Sequence, residues 1–446
     1  MISRKKKKPQ GVIPEQGETV REIRLVAMLR AGALMYAMVV ILLSSVVTGM
    51  VITGLSFQRE LAERVITRRQ LDRNIISSAV LYSNGGFVGF PEGDTFGLDL
   101  YKDSKSEVIL TTMNWGGLEV LTVEAVMGRE RLSKNILFGT GKEDISPIGL
   151  YLSDKGRFLS LSGDTRLSGD CYLPAATARV ASIEGRHFQY KEIARGRIFK
   201  SEDHLVEPDP GVFSFIRDYL SGYFQKNDSI VLWHDFISER YSRPFGLSTV
   251  VITGPDHWVL EGIDASGRLV FLSDSSITVN GDSYLSDVVL ISRDIVIGDD
   301  FDGSLQAFAY RSICVGENCN LLLPSVLAVS QENKQYLVHD SITVKIGEGS
   351  IVSGNIILKS EGLPCYLKTE AGSRVIGLVY CQGQVSHGGF IEGSLYCDGF
   401  YLKTPSSWYL NHLLDNRIEL TELPDSYAGV DIFGKAEKKT ILKWLQ

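Results

Sequence analysis

Apolar residues form one uninterrupted run near the start of the chain. Between residues 31 and 58 the only ionisable side chain is Tyr36, and residues 34–55 are apolar at nearly every position. A helix rises ~1.5 Å per residue, so about 20 such residues span a hydrocarbon core of roughly 30 Å. The pattern predicts a transmembrane helix over 31–56. A cleaved signal peptide, which has a shorter apolar core, and a buried core helix are the alternatives.

The helical pattern continues beyond the apolar run. Apolar residues recur at roughly helical spacing, while charged residues occupy the other faces. Asn84, Gly85 and Gly86 then provide a helix stop. The sequence therefore predicts a helical stalk over 57–83. Its apolar positions are Phe57, Leu61, Val65, Leu71, Ile75 and Ala79.

After the stalk, the apolar residues follow the spacing of β-strands rather than that of a helix. Residues 108–113, 118–126 and 135–138 are rich in β-branched and apolar residues, and glycine-containing turns separate them. This pattern predicts a small antiparallel β region over 84–150.

Short apolar segments that end at Gly, Asn or Asp repeat through the centre of the chain. One series begins at Val259, Ile277, Ile295 and Ile313, and these starting points are 18 residues apart. A second series begins at Phe271, Val289 and Ala307. Such a unit cannot bury its apolar face alone, but stacked copies can. The repeats predict a mainly β fold in which 151–403 form a β-helix or β-solenoid with about 16–20 residues per turn.

Two similar glycine-bounded segments near the end of the coil repeat at a shorter interval. Residues 377–383 and 393–399 are 16 apart, which places Cys381 over Cys397 and Tyr380 over Tyr396. The rung spacing of ~4.8 Å falls within the Cα separations of disulfides, roughly 4.4–6.8 Å. Cys381 and Cys397 are therefore either a disulfide pair or buried thiols in a core ladder.

Three stretches depart from the repeat. Residues 200–248, which include a predicted short helix over 212–224, and residues 323–341 are predicted insertions. Residues 404–446 are predicted to form a C-terminal cap or tail. Within this segment, residues 435–446 suit a helix that caps the coil, with a membrane-surface or partner-binding tail as the alternative.

Charge is distributed unevenly along the chain. The net charge is −7, but residues 1–30 carry eight Lys or Arg against three Glu, so this segment is +5 and the remainder −12. An acidic body argues against nucleic acid as a partner. The basic flank predicts that residues 1–30 are cytoplasmic and that the bulk of the chain lies outside a bacterial inner membrane, after a single span.

The sequence contains little that indicates catalysis. The seven histidines lack the spacing of metal ligands, and no cofactor motif is present. Asp299, Asp300 and Asp302 follow one strand of the repeat. They form a weak candidate cation site or a candidate acid and base pair acting on a sugar chain. The simpler interpretation is a polar corner turn, which Asp and Gly favour for backbone reasons. No catalytic residue or cofactor is predicted.

The helical part of the sequence resembles one family and the coil others. Over residues 28–83, a membrane helix that runs directly into an amphipathic stalk and then into β structure resembles minor pilins and pseudopilins. The resemblance is incomplete. If Gly32 precedes a prepilin cleavage point, the fifth position after it is Ala37 rather than the Glu of major pilins. The repeats are similar to those of bactofilin-type domains and polysaccharide-lyase β-helices.

These features predict a membrane-anchored, extracytoplasmic protein with a structural or assembly role in the envelope. The pilin resemblance implies a component of a pilus or secretion system with envelope protein partners. One alternative is a surface-anchored module that binds polysaccharide, or a lyase or hydrolase that cleaves it. A bactofilin-like scaffold is a further alternative, and it would place the coil in the cytoplasm.

Overall fold

The computed structural model describes residues 19–86, 95–101, 106–214, 217, 228–235, 240–331, 341–434 and 436–445. The chain forms two compact units, which meet in sequence between Gln70 and Leu71. The expectations for residues 1–18 of the basic segment and for 215–216 and 218–224 of the short helix fall outside the described residues. The fold is mainly β with one long apolar helix, as the sequence predicts.

The helix, α1, is continuous from Thr19 to Ser83. It ends at the predicted stop, where Gly85 adopts a φ of 76°. The backbone amide and the side-chain amide of Asn84 both donate to the Val80 carbonyl in the last turn, at 3.1 and 2.8 Å. Span and stalk are therefore parts of a single element.

A small antiparallel sheet follows the helix, and this prediction is confirmed. We call it the head sheet. Its strands pair in the order β1–β2–β3–β4, with β2–β3 and β3–β4 as tight hairpins. Alternate side chains of each strand lie on opposite faces, and both faces are apolar because each is covered by another element. The strands are β1 Thr95–Leu98, β2 Glu107–Trp115, β3 Leu118–Met127 and β4 Glu130–Gly141.

The predicted β-solenoid is confirmed and has about 11 turns. Parallel strands stack along three sides, and the inward-facing residues form one continuous apolar core. The strands are β5 Ile148–Leu152, β6 Leu159–Ser162, β7 Arg166–Ser168, β8 Asp170–Leu173, β9 Ala178–Val180, β10 Ser182–Ile183, β11 Arg186–His187, β12 Ile198–Lys200, β13 Ser229–Leu232, β14 Arg240–Arg243, β15 Val250–Thr253, β16 His257–Leu260, β17 Asp264–Gly267, β18 Leu269–Leu272, β19 Ser276–Val279, β20 Tyr284–Ile297, β21 Asp302–Val315, β22 Asn320–Gln331, β23 Ile342–Ile346, β24 Ile351–Ser360, β25 Cys365–Thr369, β26 Arg374–His387, β27 Phe390–Lys403, β28 Trp408–Leu410, β29 His412–Leu414 and β30 Arg417–Glu419.

The long strands bend around corners and contribute to all three sides of the coil. We call side A the face that contains β15, β18 and the middle of β20. Side B contains β16, β19 and the end of β20. Side C contains β14, β17 and the start of β20.

The stacking register agrees with the predicted repeat in one series and differs in two places. Ile277, Ile295 and Ile313 are register partners, as predicted. Leu290, rather than Val289, lies between Phe271 and Ala307. The register shifts between Ser286 and Val288, because Asp287 forms a bulge with a φ of 62°. The partner of Ile277 on the preceding rung is Trp258, rather than Val259.

Strands also occupy parts of both predicted insertions. Within 200–248, β13 and β14 join sides A and C of the coil through β15 and β17. Within 323–341, β22 continues to Gln331 and stacks on β24. Residues 215–216, 218–227, 236–239 and 332–340 of these two stretches lie outside the described residues.

The order of turns along the coil differs from their order in the chain. Leu150 and Leu152 of β5 stack on Leu395 and Cys397 of β27. On the other two sides, β6 stacks on β29 and β7 on β30. The first turns in sequence therefore extend the end that the last turns form. Local repeats could not predict this, because the partners lie about 250 residues apart.

Aromatic and aliphatic side chains cover the apolar core at both ends of the coil. At the β13 end, Trp233 and Tyr241 pack on the core, and the Trp233 ring lies 4.9 Å from that of Trp258. At the β12 end, Phe188, Ile193 and Ala194 pack on it. These caps shield the interior, as repeat folds require.

A fully buried histidine lies at the junction of the first and last turns. The Nδ1 atom of His387 is 2.8 Å from Thr369 Oγ1, and its Nε2 atom is 3.4 Å from the Arg417 carbonyl oxygen. The Asn416 amide donates to the His387 carbonyl at 2.6 Å. Burial lowers the pKa of His387 to about 4, so the ring is neutral at pH 7.

We expect the stability of the protein to fall as the pH drops from about 6.5 to about 4. The unfolded chain binds a proton on His387 near pH 6.5, whereas the folded chain resists protonation until about pH 4. The stabilisation is complete above pH 6.5, and up to about 3 kcal/mol is lost on acidification. Urea unfolding at a series of pH values measures this loss. His387→Gln, which does not titrate, should flatten this part of the profile, and equal losses in both proteins would contradict the assignment.

The head sheet docks on side A through a hairpin turn. Trp115 Nε1 donates to the Asp287 carbonyl at 2.9 Å. Gln306 bonds the turn twice: it accepts from the Gly117 amide at 2.9 Å and donates to the Trp115 carbonyl at 2.8 Å. Apolar residues of the sheet, including Leu118, share a second core with the outer surface of side A.

Gln306→Leu should lower the free energy of unfolding by about 2–3 kcal/mol, because it leaves the Gly117 amide and the Trp115 carbonyl without their buried partner. Thermal or urea unfolding of the purified variant measures this. Ser330→Ala is a matched control, since Ser330 is buried and its hydroxyl has no partner among the described residues. Equal effects of the two substitutions would argue against the docking role.

The C-terminal segment forms strands, so the expected helix over 435–446 is wrong. Strand β31, Ala428–Gly429, and strand β32, Thr440–Leu445, both pair antiparallel with β4. The spacing of Ile441, Leu442 and Leu445 suits a helix, but a register shift between Ile441 and Lys443 fits it to a strand. The free edge of β4 decides the outcome, because pairing with it satisfies backbone groups of both strands.

Candidate functional site

The first candidate site is the apolar surface of α1. Within Gly32–Ser83 the helix is long and apolar enough to cross a membrane. The large apolar side chains from Leu34 to Ile66 are exposed. Three of the six predicted stalk positions belong to this exposed set: Phe57 (68%), Leu61 (54%) and Val65 (46%). A surface of this kind requires lipid or other apolar side chains to cover it.

The last turns of α1 pack against the head sheet. Leu71, Ile75 and Ala79, the other predicted stalk positions, are buried together with Tyr82. They share a core with seven residues of β2, β3 and β4 on the sheet face opposite the coil. This amphipathic part of the helix is therefore an integral element of the head, whereas the sequence predicts only a stalk here. The seven sheet residues are Val108, Leu110, Leu121, Val123, Ala125, Ile136 and Phe138.

Polar contacts from the C-terminal segment hold the same helix end. Lys439 Nζ pairs with Glu119 on β3 and lies 3.2 Å from the Tyr82 hydroxyl, which itself donates to Glu119. The Lys439 amide donates to the Ser83 carbonyl at 2.8 Å, and the Ser83 hydroxyl donates back to the Lys439 carbonyl. Sequence reasoning missed this cluster, because Lys439 lies more than 300 residues from Tyr82, Ser83 and Glu119 and no motif marks it.

The aspartates of the predicted corner turn make hydrogen bonds to other residues of the coil. Asp299 Oδ1 accepts from the Glu317 amide at 2.8 Å, and Asp302 Oδ2 accepts from the Asn320 side chain at 2.9 Å. Asp300 adopts a φ of 60°, which is typical of a tight turn. Within the described part of the chain, no group of three or more His, Cys, Asp or Glu side chains is placed to hold a metal ion. A cation site at this corner stays a prediction.

Cys381 and Cys397 are register partners on side A, and Tyr380 and Tyr396 are the next pair along the same strands. All six cysteines are free thiols in the structure. Burial raises the pKa of Cys381 and Cys397 well above the usual value, so both thiols are protonated and unreactive at neutral pH. A bridge between them stays a prediction.

The described geometry thus combines an exposed apolar helix surface with a head that is fixed to a long coil. The elements that attach the helix to the head come from both ends of the chain. Comparison with protein-family models, with curated proteins and with solved structures finds no match to this chain.

Proposed function

We propose that this chain is a single-pass membrane protein with a structural or assembly role in a bacterial envelope. Residues 31–56 lie in the inner membrane, residues 1–30 in the cytoplasm, and the head and coil outside. In the more specific form of the proposal, the chain is a minor-pilin-like component of a pilus or secretion system, and α1 packs against the corresponding helices of its partners.

The observation that carries this proposal is the continuity of α1. One unbroken helix joins the apolar run to turns that form part of the core of an antiparallel head. A continuous helix, rather than a segment of irregular structure, thus connects the apolar run to the head. The order of span, stalk and antiparallel sheet is also the order on which the resemblance to minor pilins rests.

The length of the apolar surface supports assembly over simple tethering. Exposed apolar side chains extend from Leu34 to Ile66, about 50 Å of helix, against a hydrocarbon core of roughly 30 Å. Arg59 and Arg64 form ion pairs with Glu63 and Glu60, which places charge in the part that exceeds the core. Phe57, Leu61 and Val65 would contact water in a lone span, whereas neighbouring helices would cover them.

The anchor and its orientation can be tested in native membranes. After carbonate extraction, the full chain should remain in the membrane fraction, and a variant with Val46→Arg and Val47→Arg should move to the soluble fraction. Protease added to intact spheroplasts should cut the full-length chain after residue 59, even where the coil itself resists digestion. A full-length chain that is cut only after the spheroplasts are lysed would reverse the orientation and favour the bactofilin-like alternative.

A test of the assembly role requires a variant that keeps the membrane anchor. Replacing residues 31–66 with an unrelated membrane span followed by a polar helix should preserve membrane localisation but abolish in-membrane crosslinking to neighbouring helical proteins or to a second tagged copy. Crosslinking that survives the replacement would show that α1 is only a tether.

A further inference from the structure

A polar groove follows side C at the junction of the first and last turns of the coil. It has a volume of about 400 Å³, and Arg195 lies on its wall. A smaller cavity of about 190 Å³ beside Tyr190 continues it and shares Arg166 and Arg195. The floor is a ladder of four register partners, one from each successive rung: Arg374, Phe390, Arg417 and Arg166.

A carboxylate holds two of these guanidinium groups in place. Asp164 accepts from Arg166 Nε at 3.1 Å and from Arg417 Nη2 at 2.8 Å. The hydrogen bond from Tyr190, together with those from Arg417 and Arg166, lowers the pKa of Asp164 to about 2. The carboxylate is therefore ionised at neutral pH, and it fixes both arginine side chains before any ligand binds.

Positive and negative groups alternate in the rest of the groove. Arg374 Nε donates to Glu392 at 3.0 Å, and Glu419 and Glu422 lie on the same wall. No hydrogen bond or ion pair of the Arg195 side chain is found within the described residues. Three glutamates and Asp164 balance the four arginines here, so the groove offers a polyanion no excess of positive charge. Paired guanidinium and carboxylate groups suit ligand hydroxyls, which both donate and accept hydrogen bonds.

Aromatic rings lie beside these polar groups. Arg417 stacks 5.2 Å from the centre of the Phe390 ring, and Arg166 lies 5.3 Å from the centre of the Tyr190 ring. Sugars have this combination of apolar faces and peripheral hydroxyls. The rungs repeat every ~4.8 Å, close to the length that one sugar unit adds to an extended glycan, whereas an extended peptide repeats every ~3.4 Å.

We propose that this groove binds an uncharged sugar chain of about three to four units, lying parallel to the coil axis across the four rungs. Phe390 contacts an apolar sugar face, and the arginines and glutamates bond the hydroxyls. The site lies on side C, three rungs along the coil from Asp302, which occupies the same register position as Arg374. It does not depend on the assembly role of α1.

Calorimetric titration of the full chain in detergent tests the site with cellotetraose, chitotetraose, maltotetraose and tetragalacturonate as probes. At least one uncharged tetrasaccharide should bind with a dissociation constant of about 1 mM or lower. Arg195→Ala and Phe390→Ala should each weaken that binding about tenfold or more. Lys345→Ala, at an exposed position on side B, is the matched control and should bind as the parent does.

Arg195→Ala distinguishes a loss of binding from a loss of folding. The Arg195 side chain is exposed, so its removal should not change the melting temperature. Three results would overturn the proposal: no uncharged tetrasaccharide binds up to about 10 mM, the groove variants bind as tightly as the control, or tetragalacturonate binds more tightly than every uncharged probe.

Discussion

Gly377→Ala is expected to lower the free energy of unfolding by about 4 kcal/mol or more. Gly354, Gly377 and Gly393 stack in register where side C turns into side A. Their φ angles are 147°, 146° and 152°, which L-residues with a Cβ rarely adopt. A Cβ at Gly377 would also collide with the Gly354 carbonyl oxygen and with the Tyr427 ring. The rungs must separate to admit it, and this disrupts the core on both sides of the corner.

A substitution at a second glycine separates the two contributions to this loss of stability, which are backbone strain and steric collision. Gly185 has a φ of 75°, but a Cβ there would meet nothing within 4 Å. Gly185→Ala should therefore cost only about 1 kcal/mol, from backbone strain. Urea unfolding of both variants measures the difference. If Gly377→Ala proves as mild as Gly185→Ala, close packing of the rungs at this corner is not what requires glycine.

The sequence predicts those parts of the fold in which each residue depends on its near neighbours. The apolar run predicts α1, because a helix needs only local hydrogen bonds and a matching apolar length. The repeat over Ile277, Ile295 and Ile313 predicts the coil, because each rung repeats the environment of the one before. The stacking of Cys381 on Cys397 in adjacent rungs is predicted for the same reason.

The sequence does not predict contacts between distant segments. Asp164 and Arg417 lie on adjacent rungs, yet nothing near either residue indicates the other. The stacking of Leu150 on Leu395 depends on which end of the coil the first turns join. The groove on side C depends on both contacts, so it could not be found by motif or spacing. The same holds for Lys439, whose partners lie at the other end of the chain.

Deleting residues 438–446 should lower the free energy of unfolding by about 5 kcal/mol or more, the largest effect that we expect. Strand β32 pairs with β4 from Asn135 to Gly139, and its removal breaks these hydrogen bonds and exposes the edge of the head sheet to water. The deletion also exposes apolar surface that Leu445 covers, and it removes the Lys439 contacts to Glu119 and Ser83.

The consequence should extend beyond the head sheet to α1. Tyr82 keeps its ring contact with Phe138 and its hydrogen bond to Glu119, but it loses its contact with Lys439 and the strand that covers the adjoining edge. Limited proteolysis should therefore cut near residue 84 first in the deletion variant, while the coil stays resistant. Lys439→Met in the intact chain is the matched control. It should lose only about 1–2 kcal/mol, because β32 still pairs. A deletion variant that melts within about 2 °C of the parent would show that the head sheet closes without the C-terminal strand. In that case the apolar contacts of Leu71, Ile75, Ala79 and Tyr82 would be sufficient to attach the end of α1 to the head.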